Sequence, residues 1–413
     1  MWESHSAQPA ASLVATFSIQ VVSARLTSKF LACNVFTTKL GRTACLSTVA
    51  SASTICYNTR MPNRPYIHYA DLRKFIFQVL TASGVPDHVA EIEAQICAEV
   101  DLCGVHSHGV RMLPGLVKQI TTRQTNPDPK PTTVVEQPAS VLLEANRAIG
   151  RYMSAVGMDM AIERAEKFGL GAVAIRGVAH WGRGYSYGLR AANKGMIGLA
   201  FTNTVTNFPA WGTAEPSLGN NPMAIGVPSI NDNEPVVLDI AMTQAAIGRV
   251  GQAAVDGQSV PLSWGLDPDG QPTTDPNQVI ASQRFLPMGE YKGSGLSFMI
   301  ELLTAGLADG LLCHQQGRNN QPTDSVGGST KLFIAIRPYG GWLADRVESL
   351  KAHLKSVQPF PQQGTAQWPG EGSFQRRKDY LQGGIPLPDH IAVDVRKLST
   401  ELGIAVPLSR YQN

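Results

Sequence analysis

The hexapeptide His106-Ser-His-Gly-Val-Arg111 brings together two rings that titrate near neutral pH, a hydroxyl and a guanidinium fork. Three chemistries fit it. A His-x-His pair with Asp101 as third ligand would make a metal site. His106 could instead be a hydrogen-bonded loop residue with a purely structural task. In the third reading His108 exchanges protons while Arg111 binds an acid. A second candidate, His180, lies in Ala179-His-Trp-Gly182, directly after the apolar, strand-like run Gly171–Val178. A lone histidine there is often hydrogen-bonded core, but its neighbouring glycines would let a flat ligand or another backbone approach closely. Gly182-Arg-Gly184 resembles part of a dinucleotide fingerprint. The third glycine is misplaced and no acid follows about 20 residues later, which argues against an ordinary Rossmann turn. Gly289–Gly295, with Lys292 ahead of a helix, reads either as a phosphate loop or as a simple helix entry. It is not a Walker sequence, because Lys292 is followed by glycine.

The surrounding elements must hold these groups. Leu72, Phe75, Val79 and Leu80 share one helical face, and Val89, Ile92, Ile96 and Val100 share another, so the folded part opens with an amphipathic pair from about Tyr66. Thr121–Pro138 reads as an extended connection. From Ser140 strands and helices alternate: Val141–Leu143, a helix over 154–168 ended by Gly169, Gly171–Val178, a helix over 185–194, Met196–Thr204, Met223–Val227 and Val236–Ala241. Residues 251–290 read as loop-rich, and a helix runs from the Met288–Gly295 segment to about Leu307. Lys331–Arg337 is a further strand, and a final amphipathic helix spans 391–402.

The 413 residues are 43% hydrophobic and 16% charged, the composition of a folded chain with a sizeable core. A net charge of +3 gives no reason to expect nucleic acid as a partner. No stretch approaches the roughly 20 apolar residues of a membrane span. Six cysteines without a CxxC pair suit free thiols in a reducing compartment, with Cys97 and Cys103 expected in the core. Residues 1–65 differ from the rest: Glu3 is their only acid, and Arg25, Lys29, Lys39, Arg42, Arg60 and Arg64 are set among Ser, Thr and Ala. That composition suggests a mitochondrial transit segment; an unstructured extension of a cytoplasmic protein is the alternative.

Eight motifs in order resemble the type-2 malate/L-lactate dehydrogenase family. They are Ser107-His-Gly109, Ala179-His-Trp-Gly182, Thr202-Asn-Thr204, Leu218-Gly-Asn-Asn-Pro222, Leu238-Asp-Ile-Ala-Met-Thr243, Pro272-Thr-Thr-Asp-Pro276, Met288-Gly-Glu-Tyr-Lys-Gly293 and Pro369-Gly-Glu371. Relatives in that family include ureidoglycolate, sulfolactate and diketogulonate oxidoreductases and cyclic ketimine reductases. The resemblance implies an α/β (α+β) fold of non-Rossmann type, with a largely antiparallel central sheet flanked by helices, acting as a homodimer. It also implies NAD or NADP as cofactor and hydride transfer at C2 of a small 2-hydroxy or 2-oxo acid, with no metal. Reduction of cyclic ketimine 2-carboxylates and a non-catalytic dimeric relative are the alternatives.

By the same resemblance, residues 66–138 are a helical substrate and dimerisation part. Residues 139–360 bind the cofactor, and 361–413 return to the first part. His180 and His108 share the acid/base work, with His180 favoured, and Ser107 and Arg111 hold the substrate. The cofactor positions fall on Thr204, on Leu238, Asp239, Ile240, Ala241 and Thr243, on Lys292, and on Gly370 and Glu371. Many relatives place the arginine where this chain has Met112, and a polar residue where it has Ala179.

Overall fold

The computed structural model describes residues 64–230, 234–316, 328–360 and 364–410. The transit-segment expectation for residues 1–65 therefore lies outside the described residues, apart from Arg64 and Pro65. The helices in chain order are α1 (Tyr69–Ala82), α2 (Asp87–Leu102), α3 (Leu113–Thr121), α4 (Gly150–Phe168), α5 (Tyr185–Ala192) and α6 (Ile247–Val255). They continue with α7 (Pro276–Ser282), α8 (Tyr291–Glu301), α9 (Trp342–Ser356), α10 (Glu371–Gly383) and α11 (Asp389–Leu402).

Helix α1 forms because of what it buries. His68 at its N-cap makes no side-chain cap, whereas Leu72, Phe75, Ile76, Val79 and Leu80 are removed from solvent. Each such side chain contributes about 1.5–3 kcal/mol on burial, against about 1 kcal/mol for a good cap. This face packs on Val89, Ala90, Ala94 and Cys97 of α2 and on Ile391, Ala392 and Val395 of α11. Cys97 and Cys103 are buried free thiols, as their apolar neighbours suggested, and burial pushes the Cys97 thiol up to about 12.

A seven-stranded sheet carries the rest. Its strands, numbered along the chain, are β1 (Thr132–Glu136), β2 (Ser140–Ala148), β3 (Leu170–Val178), β4 (Ile197–Thr202), β5 (Met223–Val227), β6 (Val236–Ile240) and β7 (Ser329–Ile336). They lie in the order β1-β2-β3-β7-β4-β5-β6. Only β2 and β3 run parallel, joined by α4 as crossover, and the other pairs are antiparallel. The expected largely antiparallel sheet flanked by helices is what forms. Helices α4 and α5 cover one face; α8 and the five-residue π-helical turn Leu302–Gly306 lie against the other.

Close approach of α4 and α5 depends on glycine. A Cβ on Gly157 of α4 would stand 2.6 Å from the side chains of Ile175 and Phe333, and one on Gly226 of β5 would stand 2.0 Å from the Gly188 carbonyl of α5. Helix α4 ends where expected, at Gly169, whose φ of +85° is left-handed.

Two local expectations are corrected and a third is refined. Residues 251–290 contain α7, because Asp275 caps the Asn277 N–H and Pro276 occupies the first turn, so Asp-Pro starts a helix here as well as a turn. The connection 121–138 contains the fully exposed strand β1. The helix expected to run to about Leu307 does so, passing from α form into a π turn after Glu301.

Replacing Gly226 by alanine should cost about 1–3 kcal/mol, seen as a lower urea midpoint at unchanged m-value. Gly115→Ala, on α3 with open space around it, should instead stabilise by roughly 0.5–1 kcal/mol.

Candidate active site

The histidine loop is built around a buried carboxylate. Asp101, fully buried at the end of α2, accepts the Val110 N–H at 2.6 Å through Oδ2 and lies 2.8 Å from His106 Nδ1 through Oδ1. Gly109 admits it: a Cβ there would sit 2.1 Å from Asp101 Oδ2. His106 is thereby committed to shaping the loop, so it does not converge with His108 on an ion. Among the described residues no three ligating side chains cluster as a metal site. His108 Nδ1 lies 2.8 Å from Ser107 Oγ, and its Nε2 makes no hydrogen bond among the described residues.

A second buried pair anchors this loop to the sheet. Arg151, in the first turn of α4, meets Glu93 of α2 at 3.4 Å, donates to the His108 carbonyl at 3.0 Å, and touches Met112 Sδ at 3.8 Å. Glu93 also accepts the Tyr152 N–H at 2.7 Å. Both side chains are buried, and desolvation holds the Glu93 carboxyl above its usual range. Just before Arg151, Gly150 lies against the other histidine, since a Cβ there would stand 2.1 Å from the His180 carbonyl. One helical turn thus touches the backbone of both rings, whose centroids are 5.7 Å apart.

His180 is exposed to solvent yet densely surrounded by protein, as befits a cleft residue. Its Nδ1 accepts the Gly182 N–H at 3.0 Å. A backbone N–H can only donate, so the ring carries its proton on Nε2 and presents a neutral donor. Desolvation, followed by the charges of His108, Arg151 and Lys331, holds its pKa well below the ordinary value. His108 is also lowered, chiefly by burial, but Asp239 acts in the opposite sense and favours its protonated form.

A cavity lined by several of the expected cofactor positions adjoins this pair. Asp239 on β6 is held by Arg183 Nε at 2.7 Å, and the Arg183 guanidinium stacks over Tyr185 at 4.3 Å. Arg183, Leu238, Asp239, Gly370, Ser373 and Arg376 line a cavity of about 300 Å³. Arg183 Nη1 and the Tyr185 hydroxyl are buried without a partner among the described residues. Gly370, at φ +96°, packs 3.2 Å from the Val237 carbonyl at the Cβ position, where a side chain would be strained. Two guanidiniums, an unpaired donor and a bare backbone suit the pyrophosphate of a dinucleotide.

The remaining sequence candidates divide. Leu238, Asp239 and Gly370 share the cavity. Ile240 and Ala241 continue the β6 edge, half-buried. Thr204 binds Asn220 at 3.0 Å, and Thr243 turns onto the Ala245 carbonyl beside the Met288–Gly293 loop. Lys292 is exposed at the start of α8. Glu371 gives its carboxylate to Lys355 at 2.6 Å and to the Trp368 N–H, so it fastens the Pro369-Gly370 turn. Arg111 is exposed and makes no hydrogen bond among the described residues, although its charge reaches His108. Sequence reasoning passed over Glu93, Arg151 and Lys331. A charged residue at a buried helical or strand position was the available signal.

A non-Rossmann sheet with a facing histidine pair beside an arginine-lined cavity defines a class of oxidoreductase. The family pattern described as malate/L-lactate dehydrogenase matches residues 67–396, and the chain belongs to that family. A 2,3-diketo-L-gulonate reductase of Citrobacter koseri is 31% identical over 337 residues, 80% of this chain and 99% of the relative. Malate dehydrogenase from Entamoeba histolytica superposes with a TM-score of 0.78 at 26% identity, covering 83% of this chain and 99% of that one. The Δ1-piperideine-2-carboxylate reductase of Pseudomonas syringae pv. tomato gives 0.72 at 28%, covering 81% and 99%.

Arg151→Met should lower unfolding stability by about 3–5 kcal/mol, because it strands a buried Glu93. Glu93→Gln leaves behind a buried guanidinium that cannot shed its charge and should cost at least as much; urea denaturation of both variants checks the order.

Proposed function

We propose that the protein reversibly reduces C2 of a small 2-oxo acid to the 2-hydroxy acid, using NADH or NADPH. The observation that carries this reading is the division of labour in the histidine pair. When bound, the dihydronicotinamide supplies the hydride. His180, locked with its proton on Nε2, donates a hydrogen bond to the carbonyl oxygen and polarises it, but it has no second proton to give. His108, whose Nε2 is free and whose protonated form Asp239 favours, gives the proton to the developing alkoxide and recovers it in the oxidation direction. This reverses the emphasis that the family resemblance placed on His180. Ser107 fixes the His108 ring. Arg183 and Arg376 would take the cofactor's phosphates, and the bare Gly370 backbone lets them approach.

The cyclic ketimine 2-carboxylates remain a second reading, favoured by the likeness to the piperideine-2-carboxylate reductase. The same two rings would then serve a C=N bond. A scaffold without catalysis would have no use for a neutral donor facing a free ring across 5.7 Å.

We also propose a homodimer. Helix α8 and the turn beyond it expose Tyr291, Phe298, Met299, Leu302, Leu303 and Leu307, an apolar stripe larger than scattered surface residues make. A second copy laid on this stripe would cover it. Light scattering should give twice the chain mass for the wild type and a shift to monomer for Phe298→Glu with Leu302→Glu; a monomeric wild type would refute the dimer.

The first test is oxidation of NADH and NADPH against oxaloacetate, pyruvate, sulfopyruvate, 2-oxoglutarate and cyclic imines. His108→Ala should lose about 10²–10⁴-fold in kcat while keeping dinucleotide binding. The pKa of His108 lies below the ordinary 6.5, and reduction needs its protonated form, so kcat for reduction should rise as pH falls through that region. Oxidation of the hydroxy acid should follow the opposite course. Dinucleotide binding without turnover of any acid or imine would refute the reading.

A further inference from the structure

One buried charge is used neither by the cofactor cavity nor by the proton transfer. Lys331 stands on β7 in the middle of the sheet, in register with Ile175 of β3 and Thr202 of β4, and is 1% exposed. A buried ammonium ordinarily faces a carboxylate. Among the described residues Lys331 has none: its Nζ donates at 2.6 Å to Ser329 Oγ, which donates in turn to the Val178 carbonyl at 2.9 Å. Nζ also lies 6.0 Å from the centre of the Trp181 ring. All these partners are neutral. Val178 and Trp181 flank Ala179 and His180, so the ammonium lies beneath the turn from which His180 enters the cleft, and its charge is felt there.

Among the described residues, the ionisable groups around that turn leave the charge uncompensated. His180 stands above it, Tyr187 of α5 stacks on Trp181, and Arg151 of α4 is paired with Glu93. On the cleft side are His108 and Asp239, the latter paired with Arg183. Each acid in this group already has its cation. Burial brings the lysine down to about 7, so its charge is present below that pH and lost above it.

We propose that Lys331 is a positioning residue of the active site, supplying from beneath the His180 turn the positive field that selects a substrate bearing a carboxylate. The proposal rests on the 2-oxo acid reading and deepens it. Arg111, at the surface, is poorly placed for this task, and Met112 brings no charge to it. A buried charge that never touches the substrate acts through the field across the low-dielectric turn, so it should favour anions over neutral carbonyl compounds of the same shape.

The experiment uses the full chain and Lys331→Met, which keeps length and removes charge. Below the lysine's midpoint, kcat/KM for the accepted 2-oxo acid should fall about tenfold, the equivalent of one pKa unit of interaction, through KM and not kcat. The corresponding 2-oxo amide, which is uncharged, should be unaffected. The wild-type decline of kcat/KM with rising pH near 7 should disappear in the variant, leaving the decline due to His108 at lower pH. In substrate-free protein labelled at histidine, the His180 NMR titration should move upward, because a neighbouring positive charge has gone. Equal losses for acid and amide, or an unmoved His180 titration, would overturn the proposal. If the wild type reduces no acid, the functional reading fails, and the His180 titration still decides the role of Lys331. Should Lys331→Met not fold, Ser329→Ala removes the ammonium's hydrogen bond and should shift the alkaline decline to lower pH; an unmoved decline refutes the idea.

Discussion

The spacing of the two histidines depends on the first turn of α4. Gly150 lets the His180 carbonyl lie against the helix, and Arg151 holds the His108 carbonyl, so a single turn gauges the distance between two rings that come from different parts of the chain. The guanidinium can do this only because Glu93 meets it out of water. A charge pair buried this deeply adds little net stability, since desolvation offsets most of the attraction. Its contribution is to geometry: it fixes where α2 and its histidine loop sit on the sheet.

The electrostatics of the cleft follow from the same arrangement. Burial and surrounding cations keep both rings neutral near pH 7, while the Gly182 N–H decides which nitrogen of His180 carries hydrogen. Among the described residues Asp239 is the acid that acts on His108, and Arg183 holds it at the boundary between the rings and the arginine-lined cavity. In the proposed reaction, proton exchange and dinucleotide recognition would therefore share a salt bridge. The two tasks need not be independent, because any movement of Arg183 toward a phosphate changes what His108 experiences.

Much of this was legible in the sequence. The periodicity of Leu72, Phe75, Val79 and Leu80 specifies a buried helical face, and the apolar run Gly171–Val178 specifies a central strand, because burial at a fixed period leaves a repeating trace. His108 and His180 stand out since each titratable ring lies close to glycines, which leave room for a ligand or another backbone that a filled core does not need. What stayed hidden is pairing. Glu93 and Arg151 are 58 positions apart and each looks like a surface charge on its own helix. Lys331 reads as the polar first residue of an apolar strand, and only the fold shows what lies above it. Glu371 resembles a ligand contact until Lys355 is seen to hold it. Local signals report what a residue buries, whereas partners distant in sequence depend on how the chain closes.

The anchoring of both rings by one helical turn makes the site a matter of phase. Helix α4 begins at Gly150, just past β2, whose last residues turn at Asn146 and Arg147 with left-handed φ of 51° and 61°, and each residue added in that return would rotate everything beyond it by about 100°. A one-residue insertion or deletion in that return would leave the apolar stripe of α4 a way to settle back on the sheet by slipping along its length. Gly150 and Arg151 would then point elsewhere, and the chain could remain folded with its two rings unregistered. The length of this connection is thus under a tighter constraint than its surface position suggests, one set by angular bookkeeping and not by contacts of the loop itself.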